Sequence, residues 1–202
     1  LGGVRVTSAT PTETASVDNA ASMALAMVHG ILAQVFFAFL CVIAAILSAR
    51  WRRVESGAET PPPERADSTL RRTTLILLCV LLFQLMLGSG TRHFSHAHLA
   101  LTHTAFALIV LTFAALAGFR ASGRHKDDPL LRPLGKAVAH TVGLQLVLGG
   151  ITLFLVLPYQ AGKIDPPATV IVATVHQAVG ALLLALAALL FAWTRRLTPR
   201  PA

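Results

Sequence analysis

The sequence predicts an all-α, polytopic integral membrane protein. It should have five transmembrane helices: a complete C-terminal four-helix bundle plus one helix of a preceding, related bundle. Three observations predict this. Of 202 residues, 54% are apolar and only 13% charged, about half the charged share of a soluble domain. Five stretches contain no Asp, Glu, Lys or Arg: 19–49, 73–91, 93–119, 137–162 and 166–194. A bilayer-spanning helix needs about 20 mostly apolar residues. The 17 Lys and Arg residues also crowd into alternate gaps.

Gap 50–72 holds Arg50, Arg52, Arg53, Arg65, Arg71 and Arg72. Gap 120–136 holds Arg120, Arg124, Lys126, Arg132 and Lys136. The tail adds Arg195, Arg196 and Arg200, and the remaining gaps have only Arg5, Arg92 and Lys163. This positive-inside asymmetry predicts an outer N-terminus and a cytoplasmic C-terminus. An ordinary soluble enzyme, a nucleic-acid-binding domain and a disulfide-stapled secreted module are excluded. The net charge of +8 reflects loop arginines, so no nucleic-acid partner is expected; the expected surroundings are membrane lipid.

In chain order, residues 1–49 read as a remnant of a first membrane bundle. Leu1-Gly2-Gly3 resembles the outer end of a helix, and a full span follows over about 20–49. Residues 50–72 contain Pro61-Pro62-Pro63, four acidic residues and six Arg; this composition predicts a solvated, extended cytoplasmic linker. Residues 73–197 should form the second bundle, from helices 73–91, 97–119, 134–158 and 167–194. Residues 198–202 are a cytoplasmic tail. Cys41 and Cys79 both fall within apolar stretches and are expected to pack as small, reduced, buried residues.

An internal repeat organises the chain. Gln84-Leu85-Met86-Leu87-Gly88 and Gln145-Leu146-Val147-Leu148-Gly149 recur at the outer ends of two outward helices. Each inward helix carries one intramembrane histidine: His29, His103 and His176. The first cytoplasmic Arg follows them after 21, 17 and 19 residues. At about 1.5 Å per residue, all three lie roughly 25–32 Å above the cytoplasmic anchors.

An ionisable side chain inside a membrane helix is expensive and marks a functional site by default. His103 and His176 belong to parallel helices of one bundle. If those helices are diagonal neighbours, both imidazoles can enter the core from opposite sides. Haem iron takes axial ligands on two faces, and bundle cores build such sites from facing helices. Gly88, Gly149 and Gly150 would let a flat macrocycle approach the backbone. Its carboxylates would lie near Arg92 and Lys163, since Arg pairs well with carboxylate. Zinc would want three or four converging ligands, and a proton relay would want an intramembrane acid; the five stretches supply neither.

The other polar residues are less specific. His93, His96 and His98 form an outer-loop cluster that suits a metal, haem carboxylates or plain solvent exposure. His140 should be interfacial, and His125 is a cytoplasmic loop residue without an assigned role. Gln84 and Gln145 read as interhelical packing glue, a contribution of about 0.6 kcal/mol. Three classes of function stay open on these residues: a haem enzyme, a bis-His membrane b-type cytochrome acting only in electron transfer, and a haem-free membrane scaffold.

With these motifs in view, the chain resembles the haem A synthase family, whose members have eight membrane helices in two similar four-helix bundles. The resemblance rests on Leu1-Gly2-Gly3, Met27-Val28-His29-Gly30, Gln84 through His93, Leu101-Thr102-His103, Gln145 through Thr152 and Val175-His176-Gln177. These resemble the end of the family's third helix and then its fourth through eighth helices. The resemblance implies an oxidoreductase of haem A biosynthesis that oxidises a methyl group of haem O to formyl for cytochrome oxidase assembly. It implies a b-type haem between His103 and His176 as metal ligands. It also implies haem O as substrate, with His29 as one of its iron ligands. The expected setting is a bacterial plasma membrane, with haem O synthase as a candidate partner and an electron donor not specified. Two positions depart from the pattern: Thr104 stands where many members have Arg after the histidine, and Ala100 stands where the other bundle carries a Glu. The family's Glu-bearing second helix has no counterpart in residues 1–202, so this stretch alone is expected to bind haem and not to make haem A.

Overall fold

A computed structural model describes residues 11–61, 67–94, 96–159 and 167–198, with side chains described except at 11–20 and 156–159. The elements are α1 (Pro11–Ile46), α2 (Ala49–Glu55), α3 (Ser68–Phe94), α4 (Ala97–Arg124), α5 (Leu131–Tyr159) and α6 (Pro167–Leu197). The described residues contain no strand, and five of the helices are long and apolar enough to cross a membrane. Leu1-Gly2-Gly3, Arg5, Lys163 and Arg200 lie outside the described residues.

Helices α3, α4, α5 and α6 pack each on the next, and α3 closes the ring against α6. That leaves α4 and α6 on opposite corners. Helix α1 lies outside the ring, against α6 and α3. The buried seams repeat at intervals of four and three residues: Leu70, Thr74, Leu77 and Leu81 on α3, then Val110, Ala114, Ala117 and Ala121 on α4. This is the spacing by which antiparallel helices interdigitate in a bundle. Helix α6 supplies the larger side chains, among them Leu183, Leu190 and Trp193. The small α4 seam lets α5 come very close. A methyl at Gly118 would meet the Gly135 carbonyl oxygen at 2.7 Å, and one at Gly135 would meet the Gly118 oxygen at 2.6 Å. Two backbones therefore touch where only glycine fits.

The helices extend past the charge-free stretches at the basic end: α3 begins at Ser68 rather than 73, and α4 runs to Arg124 rather than 119. Arg stems can run along apolar surface with their heads in water. Carboxylates fix the starts. Asp67 accepts from the Leu70 amide at 2.9 Å, and Asp128 accepts from the Leu130 and Leu131 amides at 2.8 Å each, satisfying donors that a helix start leaves open. Pro133 sits in the first turn of α5, where its missing N–H is no loss.

The linker differs from the expected extended connector. Residues 49–55 form α2, capped by the Ser48 hydroxyl on the Trp51 amide and followed by Gly57 at φ 77°. The physical reason is Trp51. It packs edge-on against Trp193 of α6 with ring centroids 5.0 Å apart, and Arg196 lies over its ring at 5.5 Å. One aromatic anchor gives a polar segment an apolar face to bury. Arg50 pairs with Glu59 at 2.9 Å and with Asp128 at 3.0 Å. Burial works against its charge, yet these two carboxylates hold the guanidinium above its ordinary pKa.

The same end holds a buried carboxylate, Asp67. It faces Arg120 at 2.8 Å, Arg124 at 3.4 Å and His125 at 3.2 Å. His125, expected as a loop residue without a role, is itself buried. The cysteines also depart from expectation: Cys41 is half-buried, but Cys79 is exposed on the outside of α3. On a membrane span that face meets lipid, which accepts a thiol as readily as a protein core does.

Candidate functional site

His103 on α4 and His176 on α6 meet across the bundle. Their ring centroids are 6.5 Å apart and their planes stand at 87°. The diagonal placement of α4 and α6 aims both rings inward. The site sits away from the basic end, as the residue count predicts.

Each hairpin builds its histidine in the same way. Gly88 of α3 faces the His103 ring, so that a methyl there would lie 2.8 Å from Cε1. Gly149 of α5 faces the His176 ring, with the corresponding distance 3.1 Å. One turn earlier, Gln84 donates from Nε2 to the His103 carbonyl at 3.0 Å. Its counterpart Gln145 reaches a ring instead, with Nε2 3.4 Å from Nε2 of His176. The two glutamines do join neighbouring helices, and Gln145 is also a direct neighbour of a histidine ring. Gly180, one turn after His176 on α6, leaves room for Gln145: a methyl there would meet its Nε2 at 3.0 Å. Gly180 was not expected, although its four-residue offset from His176 puts it on the same helix face.

Four buried polar atoms here have no hydrogen-bond partner among the described residues: Nδ1 of His103, Nδ1 of His176, and Oε1 of Gln84 and of Gln145. Buried polar atoms are nearly always satisfied, and leaving one unpaired costs about 1–3 kcal/mol. All four belong to the Gln84–His103 and Gln145–His176 pairs that join neighbouring helices. The ring spacing suits a shared metal ion. With metal–nitrogen bonds of about 2 Å, two imidazoles bound in line hold their centroids about 6 Å apart. The 6.5 Å centroid separation of His103 and His176 is of that order.

His29 is exposed on α1 and is not part of the pair. Nearby, α1 touches α3 through the Ser89 hydroxyl and the Met27 carbonyl at 3.5 Å. Arg92 is exposed at the histidine end of α3, and its Nη1 donates to Oε1 of Gln177 on α6. Gln177 directly follows His176, so this contact bridges the first and last helices of the ring beside the pair. Lys163 lies outside the described residues. His96 and His98 are exposed and stacked, with centroids 5.3 Å apart, and His93 is half-buried. Among the described residues no group of three or more His, Cys, Asp or Glu is arranged to hold a metal. His140 is exposed, with Nδ1 2.6 Å from the Lys136 carbonyl oxygen.

The chain matches no protein-family model, no curated protein and no solved structure.

Gly88 gives a direct handle on the site. Alanine there favours the helix by up to about 1 kcal/mol while its methyl displaces the His103 ring. Gly88→Ala is expected to fold normally and to shift the ring contacts of His103, visible in the histidine NMR signals. An unchanged His103 environment would contradict the packing described.

Proposed function

We propose that this chain is a membrane haem protein in which His103 and His176 are the axial ligands of a b-type haem held inside the α3–α6 bundle. The reading extends to haem A biosynthesis: the chain supplies the b-type haem bundle of an oxidoreductase that converts a methyl group of haem O to formyl. The observation that carries the haem reading is the facing imidazole pair, each ring seated on a glycine and each with a buried, unpaired Nδ1. The biosynthetic extension rests on the sequence motifs around Gln84, His103, Gln145 and His176, and on His29 as a candidate ligand for substrate haem O. The charge asymmetry supports an outer N-terminus and a cytoplasmic C-terminus, and the bacterial plasma membrane rests on the family resemblance.

When bound, a haem supplies one-electron chemistry. The chain's own residues bind and orient. His103 and His176 each present an imidazole nitrogen from a rigid helix. Gln84 holds the α4 backbone at His103, and Gln145 constrains the His176 ring. Arg92 stands at the open end, where a guanidinium suits a carboxylate.

The test is the visible spectrum of the purified chain, oxidised and dithionite-reduced, beside His103→Ala and His176→Ala. We expect a sharp low-spin spectrum with a b-type pyridine haemochrome, lost or converted to high spin in either variant. A colourless protein that reconstitutes no haem, or spectra unchanged in both variants, would overturn the reading.

A further inference from the structure

At the opposite end of the bundle, an open groove of about 550 Å³ runs between the start of α3 and the end of α4. Thr69, Thr73, Leu116, Phe119, Arg120 and Arg124 line it. The lining mixes two chemistries. It presents the guanidinium groups of Arg120 and Arg124 together with Leu116 and Phe119, which are 54% and 68% exposed on a helix apolar enough to span a membrane.

We infer that this groove binds one anionic phospholipid, with the headgroup phosphate at Arg120, Arg124 and Thr69 and an acyl chain along Leu116 and Phe119. The charge balance allows it. Asp67 draws on Arg120 and Arg124 through Nε of each, and the two groups stay 37% and 53% exposed. A guanidinium carries four further N–H donors on its terminal nitrogens. Two positive charges thus face one buried carboxylate, and the surplus lies toward the groove. The groove also opens at the N-terminus of α3, where the helix dipole favours negative charge. Basic pockets between membrane helices are a known means of holding acidic headgroups. The mixed lining selects a lipid over a free phosphate, since only a lipid answers both the guanidinium groups and the exposed Leu116 and Phe119.

The test is binding of dioctanoyl phosphatidylglycerol to the delipidated, detergent-purified full chain, with dioctanoyl phosphatidylcholine and inorganic phosphate in parallel. We expect phosphatidylglycerol to bind at least five times more tightly than phosphatidylcholine, and inorganic phosphate not to compete. Arg124→Gln should weaken phosphatidylglycerol at least fivefold, while Arg132→Gln, an equal loss of charge on α5, should leave it unchanged. Thr69→Glu supplies a second variant should Arg124→Gln fold poorly. A Glu in the first turn suits a helix start yet sets a carboxylate in the groove, and it should abolish binding. Equal affinity for the two lipids, full competition by phosphate, equal effects of Arg124→Gln and Arg132→Gln, or undiminished binding to Thr69→Glu would each overturn the proposal.

Discussion

Asp67→Ala is expected to lower the unfolding free energy by about 3 kcal/mol, read by denaturant titration in mixed micelles. Three losses combine. The Asp67 side chain is wholly buried, and it caps α3 at the Leu70 amide, a role worth about 1 kcal/mol. Its two oxygens share the Nε–H of Arg120 at 2.8 and 3.0 Å, a charge-assisted hydrogen bond worth about 1.5–3 kcal/mol. It also faces the buried His125 ring, which would lose its partner. Arg120 and Arg124 are partly exposed and regain water, which is why the total stays near the lower end of what a broken buried ion pair costs. A change below about 0.5 kcal/mol would show that the network does not hold this end together.

The same carboxylates set the acid limit of the fold. Burial pushes Asp67 upward, but the Leu70 amide, Arg120 and His125 outweigh it and hold the group below its ordinary value of 3.8. Asp128 behaves alike: burial raises it, and Arg50 with the Leu131 and Leu130 amides brings it below 3.8. A carboxylate with a depressed folded pKa contributes stability that is full above its unfolded value and is lost as pH falls through the folded one. Stability from these groups should therefore be flat above about pH 5 and decline below pH 4, and Asp67→Ala should shallow that decline.

Gly135→Leu is expected to be at least as damaging, by about 3 kcal/mol or more. A methyl at Gly135 already meets the Gly118 oxygen at 2.6 Å, the Ala121 methyl at 2.8 Å and the Ser122 amide nitrogen at 2.9 Å. Two of these are backbone atoms, so the clash is relieved only by moving α5 off α4. The helix-propensity gain of about 1 kcal/mol over glycine does not offset that. Gly143→Leu is the control on the same helix, since a methyl at Gly143 meets nothing within 4 Å. Equal stabilities for the two variants would contradict the close crossing.

The five spans were legible because charge is sparse and sits in the gaps, and lipid solvent leaves little choice but helix. The level of His103 and His176 was legible because helical rise converts residue counts into depth. Their diagonal placement was only a condition in the sequence, and the order in which the helices pack supplies it. What escaped was partnership across long separations in sequence. Composition alone cannot reveal that Trp51 meets Trp193, or that Asp67 collects Arg120, Arg124 and His125 from the end of α4. The Gly118–Gly135 contact had a readable sign, two glycines at matched distances from one turn, as close-packed membrane helices favour. The histidine tract 93–98 drew attention by density, yet at its α4 side His96 and His98 simply stack in the open.

The clasp between α2 and α6 has an optical consequence. The protein has two tryptophans, and both belong to that clasp, Trp51 against Trp193 with a guanidinium over one ring. Intrinsic ultraviolet emission from this protein is therefore a local gauge. Its quantum yield and colour report whether the segment after α1 is docked on α6. An emission change on heating or acidification, read beside far-ultraviolet dichroism, separates undocking of that segment from melting of the helices.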